Sequence, residues 1–303
     1  MIRVIKPGML TTVQDLGRRG FAHLGVSPAG SADSVSSRLA NLLVGNAETA
    51  AVLECTLLGP VLEFNSRATI AITGSATSKG LDINKPFEVS SGYRLDVGSL
   101  LTGARAYIAV RGGINVPLVM KSASTLLPAS LGGFHGRALR TGDELSIGRR
   151  TSGPPRRLRD NVRFLARDAQ PIRVTETTQS DWFSRQTINE FETATFHVSD
   201  QCDRSGIRLH GDPVLADRRS ELVTDGISLG AIQVPSNGQP IILFVDQQTT
   251  GGYPKIANVI AADLTRIAQL RPRDEVRFKF ISFARAVDLL RQQEHELHEA
   301  FAE

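Results

Sequence analysis

Gln239 Pro240 Ile241 Ile242 Leu243 Phe244 Val245 Asp246 Gln247 Gln248 Thr249 Thr250 Gly251 Gly252 Tyr253 Pro254 Lys255 Ile256 Ala257 joins an apolar run to a glycine-rich polar loop. The run from Gln239 to Val245, bounded by turn residues, reads as a buried strand. Beyond the loop, Ile256, Val259, Ile260, Leu264, Ile267 and Leu270 recur at helical spacing. Pro254 suits a first helical turn, where its missing N–H costs nothing. The expected order is strand, polar loop, helix. The first N–H groups of a helix have no partner inside it and carry partial positive charge, so a loop feeding them makes an anion site. Gly251 and Gly252 let backbone approach a ligand closely, while Gln248, Thr249, Thr250, Tyr253 and Lys255 offer donors and one cation. The competing reading is an ordinary connection with a polar surface.

Working outward, the chain between Ala51 and Ile147 reads as strands. Val52 to Leu58, Val61 to Phe64, Thr69 to Thr73, Pro86 to Val89, Tyr93 to Val97 and Arg105 to Val110 are short β-rich runs separated by Gly, Asn, Asp or Ser turns. That spacing belongs to antiparallel barrels and sandwiches, and closure would remove their exposed edges. A helix is expected after Gly25–Asp33, with Val35, Leu39, Leu42 and Leu43 inward, Ser31 as its cap and Gly45 as its stop. Gly230 to Pro235 and Pro240 to Asp246 form an expected hairpin across Ser236 Asn237 Gly238. Phe283 to Phe301 has Ala284, Val287, Leu290 and Leu297 on a helical period opposite mixed charges, an amphipathic surface helix. Both Asp143 Glu144 Leu145 Ser146 Ile147 and Asp274 Glu275 Val276 Arg277 Phe278 follow polar turns, so the chain reads as two related β lobes. The expected boundaries are 1–150, 151–282 and a terminal helix at 283–303, with a linker at 149–159.

Apolar content of 41% and charged content of 22% over 303 residues are those of a globular protein with room for two cores. No apolar run is long enough to span a bilayer and the N-terminus lacks a signal peptide's apolar core, so the expected location is cytoplasmic. Cys55 and Cys202 lie in unlike contexts, which argues for two structural thiols. The net charge of +4 is modest and is concentrated in the linker, which reads as a solvated connection without nucleic-acid partners. The His residues show no zinc-binding spacing, and neither a serine nucleophile elbow nor a Walker loop is present. No metal site is therefore expected. What remains is a series of polar loops: Gln14 to Arg18, Ser31 to Asp33, Arg111 Gly112 Gly113, Asp203 Arg204, Gln233, and Asp246 to Lys255. Arg grips a carboxylate with two parallel bonds, whereas Lys acts as a point charge. A pocket assembled from these loops would suit a small, amide-like or anionic molecule.

The ordered set Thr11 Thr12 Val13 Gln14 Asp15 Leu16 Gly17 Arg18, Gly25 to Asp33, Leu39 Ala40 Asn41, Val44 Gly45 Asn46, Ala109 to Ile114, Asp203 to Leu209, Gly230 to Pro235 and Gln248 to Ala257 resembles the KipA, or allophanate hydrolase subunit 2, family. Members are also called biotin-dependent carboxyltransferase family proteins and include the C subunit of 5-oxoprolinase. The resemblance covers nearly the whole chain to about residue 280. It implies a mainly β, α+β fold of two cyclophilin-like β-barrel lobes with peripheral helices. It also implies a KipI, or allophanate hydrolase subunit 1, type partner, with a LamB/YcsF-type hydrolytic subunit and a homo-oligomer as further possibilities. Three settings follow: a subunit of ATP-dependent 5-oxoprolinase, converting 5-oxo-L-proline to L-glutamate; a carboxyltransferase component acting on urea or a urea-like amide; or a regulator opposing a KipI-type kinase inhibitor. ATP with Mg is expected at the level of the complex, and no biotin attachment site is expected in this chain. The chain is expected to be inactive alone. In the first setting Asp15, Asp246 and Lys255 are the candidate catalytic residues. Gln14, Arg18, Asp33, Arg111, Asp203, Arg204, Gln233, Gln248, Thr249, Thr250, Gly251, Gly252 and Tyr253 are the candidate substrate contacts. The chain departs from the family's usual pattern with Ser27 Pro28 Ala29 Gly30 Ser31 Ala32 Asp33 for Pro-Pro-Ser-Gly-Ala-Met-Asp. Ser205 stands where Met is frequent, and Gln247 where a basic residue is frequent.

Overall fold

Ten strands of the first half assemble as two sheets, because their alternating apolar faces can be buried only against one another. The structure, a computed structural model, describes residues 1–149, 151–159, 170–217 and 223–301. Arg150 of the expected linker and the last two residues of the expected terminal helix lie outside the described residues. Contacts divide the chain into one unit of Met1–Arg19, Ala29–Leu165 and Glu296–Glu303 and another of Gly20–Pro28 and Ala166–His295.

In the first unit the strands are β1 (Ile2–Lys6), β2 (Leu10–Gln14), β3 (Val52–Thr56), β4 (Val61–Phe64), β5 (Ala68–Gly74), β6 (Pro86–Val89), β7 (Arg94–Asp96), β8 (Arg105–Val110), β9 (Ile114–Asn115) and β10 (Glu144–Ile147). One sheet runs β7-β4-β1-β10-β9 and the other β2-β3-β8-β5-β6. Between them Ile2, Val4, Leu62, Phe64 and Leu95 meet Val13, Leu53, Ile70, Ile72 and Ile108. The second sheet is covered on its other face too, where Val52, Ala71, Tyr107 and Ala109 pack against Val35, Leu39 and Leu43 of α1 (Ser34–Leu43) and against Leu297 and Phe301. Hence every residue of β8 is buried. The cap of α1 is Asp33, whose carboxylate accepts from Ser36 N at 2.9 Å, and not Ser31. Ser31 lies two residues farther from the helix, out of reach of those first N–H groups.

The second unit contains β11 (Ile172–Thr175), β12 (Phe196–Val198), β13 (Gly206–His210), β14 (Asp225–Gly226), β15 (Ala231–Gln233), β16 (Ile241–Leu243), β17 (Thr250–Gly251), β18 (Lys255–Val259), β19 (Glu275–Val276) and β20 (Phe278–Phe280), with α2 (Arg185–Thr193) and α3 (Leu264–Ala268). Eight of the strands form one sheet in the order β19-β12-β13-β16-β15-β18-β11-β20. Its two outermost strands are separated in the chain by Arg277 alone, so the sheet curls into a nearly closed barrel and leaves little free edge. Phe191 of α2 stacks on Phe278 at 4.7 Å between ring centroids and also meets Phe196. The hairpin β15–β16 forms as its turn chemistry predicts, with Ile232 opposite Ile242. A further helix, α4 (Phe283–Glu299), follows the barrel and leaves His295 and His298 exposed. Among the described residues no helix is long and apolar enough to cross a membrane.

The expectation of a helix from Pro254 onward is wrong. Lys255–Val259 is β18, paired with β15 on one side and β11 on the other. A central strand buried on both faces has apolar residues at adjacent positions, and such a run also satisfies a helical period. Pro254 precedes the strand, where its missing donor interrupts no ladder bond. Helix begins only at α3, after a 3-10 turn at Ala261–Asp263. The expected anion site at a helix start therefore does not exist at this loop.

Phe64→Ala, which empties the middle of the first unit's core, is expected to cost about 3–5 kcal/mol in denaturant unfolding. Burial pushes the Cys55 thiol up to about 12 and also raises Cys202, which is only partly buried. A maleimide at pH 8 is expected to label Cys202 well before Cys55, and mass spectrometry showing the reverse order would contradict this burial pattern.

Candidate functional site

The loop between β16 and β18 is anchored at its start by an ion pair taken fully out of water. Arg204 Nε and Nη2 donate to Asp246 Oδ2 and Oδ1, each at 3.0 Å, and both residues are buried. Two backbone bonds run beside the pair, Asp246 N to Arg204 O and Phe244 N to Ser205 O, each 2.9 Å. Asp246 is thus engaged by Arg204, a fixing role, where the sequence suggested acid–base chemistry. Asp203 is exposed and accepts from Ser205 N at 2.7 Å and Gly206 N at 3.1 Å, which shapes the preceding turn.

At the far end of the loop stands Lys255, buried at the start of β18. Its Nζ donates to Asp225 Oδ2 at 3.1 Å and to Gly226 O at 3.4 Å. Gln179 accepts the Lys255 N–H at 3.0 Å and directs its own Nε2 to Asp225 Oδ2 at 3.4 Å. Asp225 and Gly226 form β14, which pairs with β17 through Asp225 opposite Gly251 and Gly226 opposite Thr250. The Lys255 ammonium, helped by the Gly226 N–H, holds the Asp225 carboxyl below the usual carboxylate range. Gln247 is buried. Its Nε2 donates to Ile227 O at 3.4 Å, while its Oε1 accepts no hydrogen bond among the described residues.

Gly251 is closely surrounded by side-chain ends. A Cβ there would stand 2.7 Å from Gln233 Nε2, 2.7 Å from Ile227 Cδ1 and 2.9 Å from Gln248 Nε2. Gln233 Nε2 also donates to Tyr253 O at 3.4 Å. Gln248, Thr250, Gly252 and Tyr253 are exposed and Thr249 is half-buried. Gln233, Gln248, Thr250, Gly251, Tyr253 and Lys255 therefore do come together. Asp225, Gln179 and Gln247 were missed as site residues. Asp225 had a signal in its Asp-Gly turn dipeptide; Gln179 had none, since it reaches Lys255 across 76 residues of sequence.

The remaining predicted residues belong to the first unit and form its internal frame. The Asp15 carboxylate accepts from Ser122 Oγ at 2.6 Å, Ser124 Oγ at 2.5 Å, Ala123 N at 2.6 Å and Gly17 N at 2.8 Å. Four donors organise the Ser122–Ser124 turn around it. Gln14 Nε2 donates to Thr12 Oγ1 at 2.9 Å and Thr125 O at 3.1 Å, and the fully buried Arg18 donates to Ser124 O. Asp33 caps α1, and its N–H donates at 2.6 Å to the hydroxyl of Tyr107, which burial pushes well above the usual phenol range. Arg111 Nη1 donates to Val44 O at 2.7 Å and ties down the end of α1. All five residues are engaged in bonds within the first unit.

Residues 24–280 match the family described as carboxyltransferase domain, subdomain A and B. The chain is 39% identical over 302 residues to the C subunit of 5-oxoprolinase from Escherichia coli (strain K12), covering 97% of this chain and 96% of that protein. It is 36% identical to the corresponding 5-oxoprolinase subunit of Haemophilus influenzae over 97% of this chain and 96% of that protein. The solved urea amidolyase of K. lactis superposes with a TM-score of 0.90 at 33% identity, covering 98% of this chain and 20% of that one.

Arg204→Ala is expected to destabilise the protein by about 3–5 kcal/mol, because it strands a buried carboxylate. Adding Asp246→Ala should cost far less than a second such loss, and additive losses in unfolding experiments would contradict the pairing.

Proposed function

Because the chain belongs to the carboxyltransferase domain family, subdomain A and B, we propose that it acts as a subunit of an ATP-dependent 5-oxoprolinase that opens 5-oxo-L-proline to L-glutamate. The observation that carries this reading is the near end-to-end match to the C subunit of a 5-oxoprolinase, over 97% of this chain and 96% of that protein. The chain works within a complex, with a KipI-type subunit and a LamB/YcsF-type hydrolytic subunit as partners, in the cytoplasm.

A lactam resists water because its nitrogen lone pair is delocalised into the carbonyl, and ATP with Mg supplies the drive for its opening. Among the described residues no three His, Cys, Asp or Glu side chains gather as a metal site. ATP with Mg is assigned to the complex as a whole, with no step taken by this chain's residues on it. What the chain contributes is positioning. Lys255 offers a buried cation for an anionic group of the substrate, where low dielectric strengthens the attraction. Gln233 and Gln247 present primary amides that can donate and accept, which suits an amide edge. Gly251 lets these side chains close on one another, and the Arg204–Asp246 pair fixes where the loop starts. In this reading the isolated chain is inactive without its partner subunits.

A second reading is a carboxyltransferase component acting on urea or a urea-like amide. It is favoured by the TM-score of 0.90 to urea amidolyase, although this chain covers only 20% of that one.

The chain mixed with its partner subunits, ATP, Mg and 5-oxoproline is expected to release glutamate. Lys255→Ala should lower kcat/KM by about 10²-fold, the scale for losing one preorganised charge contact. Release at an unchanged rate would remove Lys255 from the site. Urea-dependent turnover without glutamate release would transfer the assignment to the second reading.

A further inference from the structure

The Lys255–Asp225 pair is asymmetric in a way a structural ion pair need not be. The Lys255 side chain is 7% exposed and that of Asp225 57%. A buried ammonium requires an anion, because leaving it unpaired in low dielectric is costly. Yet the anion provided sits at the surface, on a strand of two residues whose only strand pairing among the described residues is with β17. The cation is fixed by the barrel, and its counter-ion can be exchanged.

The neighbours of Lys255 favour one kind of replacement. Gln179, Gln233 and Gln247 are all buried. Lys255 Nζ and Gln247 Nε2 donate to consecutive carbonyls, Gly226 O and Ile227 O, so the ammonium and the Gln247 amide face the same short segment. Gln247 Oε1 has no hydrogen-bond partner among the described residues, and such an acceptor gains by receiving an N–H. A lactam presents N–H and C=O side by side, the complement of a primary amide. The loop therefore carries, near its start, an amide acceptor with no partner among the described residues and, at its end, an ammonium that a carboxylate occupies.

We infer that the Asp225 carboxylate holds the place of a carboxylate on the substrate, so that this site selects an amide that also carries a carboxylate, and Asp225 competes with it in the ligand-free chain. The inference rests on the 5-oxoprolinase reading. It sharpens that reading by making Lys255 the seat of the acid group and Gln247 the partner of the lactam N–H. Urea carries no carboxylate and cannot displace Asp225 in this way. Removing a tethered competitor raises apparent affinity by the reciprocal of the fraction of time the site was free, so a site blocked about four-fifths of the time gains about fivefold.

The test uses the complete set of subunits with Asp225→Asn, and with Asp225→Ser as a second variant. Both changes lie at an exposed position and remove the anion beside buried Lys255, so the thermal unfolding of each variant is measured alongside its kinetics. The KM for 5-oxoproline is expected to fall about fivefold or more in both variants, with the inhibition constant of 2-pyrrolidinone, the same lactam without the carboxylate, unchanged. Lys255→Met is expected to bind the two lactams about equally, read by direct calorimetric titration. Glutamate release with an unchanged or raised KM in the Asp225 variants would overturn the inference and leave the 5-oxoprolinase reading standing. A tightening of 2-pyrrolidinone equal to that of 5-oxoproline would also overturn it. Absence of glutamate from the unmodified complex would overturn the reading, and the inference with it.

Discussion

The buried ion pair between Arg204 and Asp246 is the constraint on which the site depends. Its two parallel bonds, each 3.0 Å, fix orientation as well as distance. Desolvating two charges offsets most of what their attraction returns, so the pair adds little net stability compared with apolar residues of the same shape. Its consequence is geometric. It clamps the start of β13 to the end of β16, and the loop from Gln247 to Pro254 leaves from that clamp. At its other end the loop enters β18, held by β15 and β11 inside the curled sheet. A glycine-rich segment with both ends fixed places the side-chain ends of Gln233, Ile227 and Gln248 close around Gly251.

Within that frame the electrostatics follow from where the barrel puts a lysine. Lys255 enters a central strand, and its side chain is buried there. The protein answers with Asp225, whose carboxyl stays ionised well into the acid range because the ammonium is beside it. A folded-state value below the unfolded one means the attraction is present at neutral pH and is lost as the pH falls through that lowered value. At neutral pH the site therefore always contains one anion, its own or a ligand's. The three buried glutamines add no charge and leave that balance untouched, while supplying both donors and acceptors.

Much of the fold was legible in the sequence because it is written in local signals. Short β-rich runs between turn residues located Val61–Phe64, Pro86–Val89 and Arg105–Val110 at their observed bounds. The stretch after Pro254 failed because a strand covered on both faces loses the alternation that marks a strand. The ordered motifs of the KipA-type resemblance pointed to the family whose description matches residues 24–280. Site residues were less legible. A carboxylate beside glycines reads alike whether it meets a ligand or a turn, and Asp15, Asp33 and Asp203 proved to organise turns and a helix start. Asp225 offered only its Asp-Gly turn dipeptide and Gln179 nothing, because their meaning lies in pairing with Lys255 across the fold, 30 and 76 residues away.

The central claim is that the loop from Asp246 to Lys255 closes on an amide bearing a carboxylate. A crystal structure of the protein with 5-oxoproline bound tests it most directly. The ligand carboxylate is expected within hydrogen-bond distance of Lys255 Nζ, with the lactam N–H on Gln247 Oε1 and Asp225 turned away from Lys255. A structure with 5-oxoproline bound elsewhere, and Asp225 still on Lys255, would contradict it.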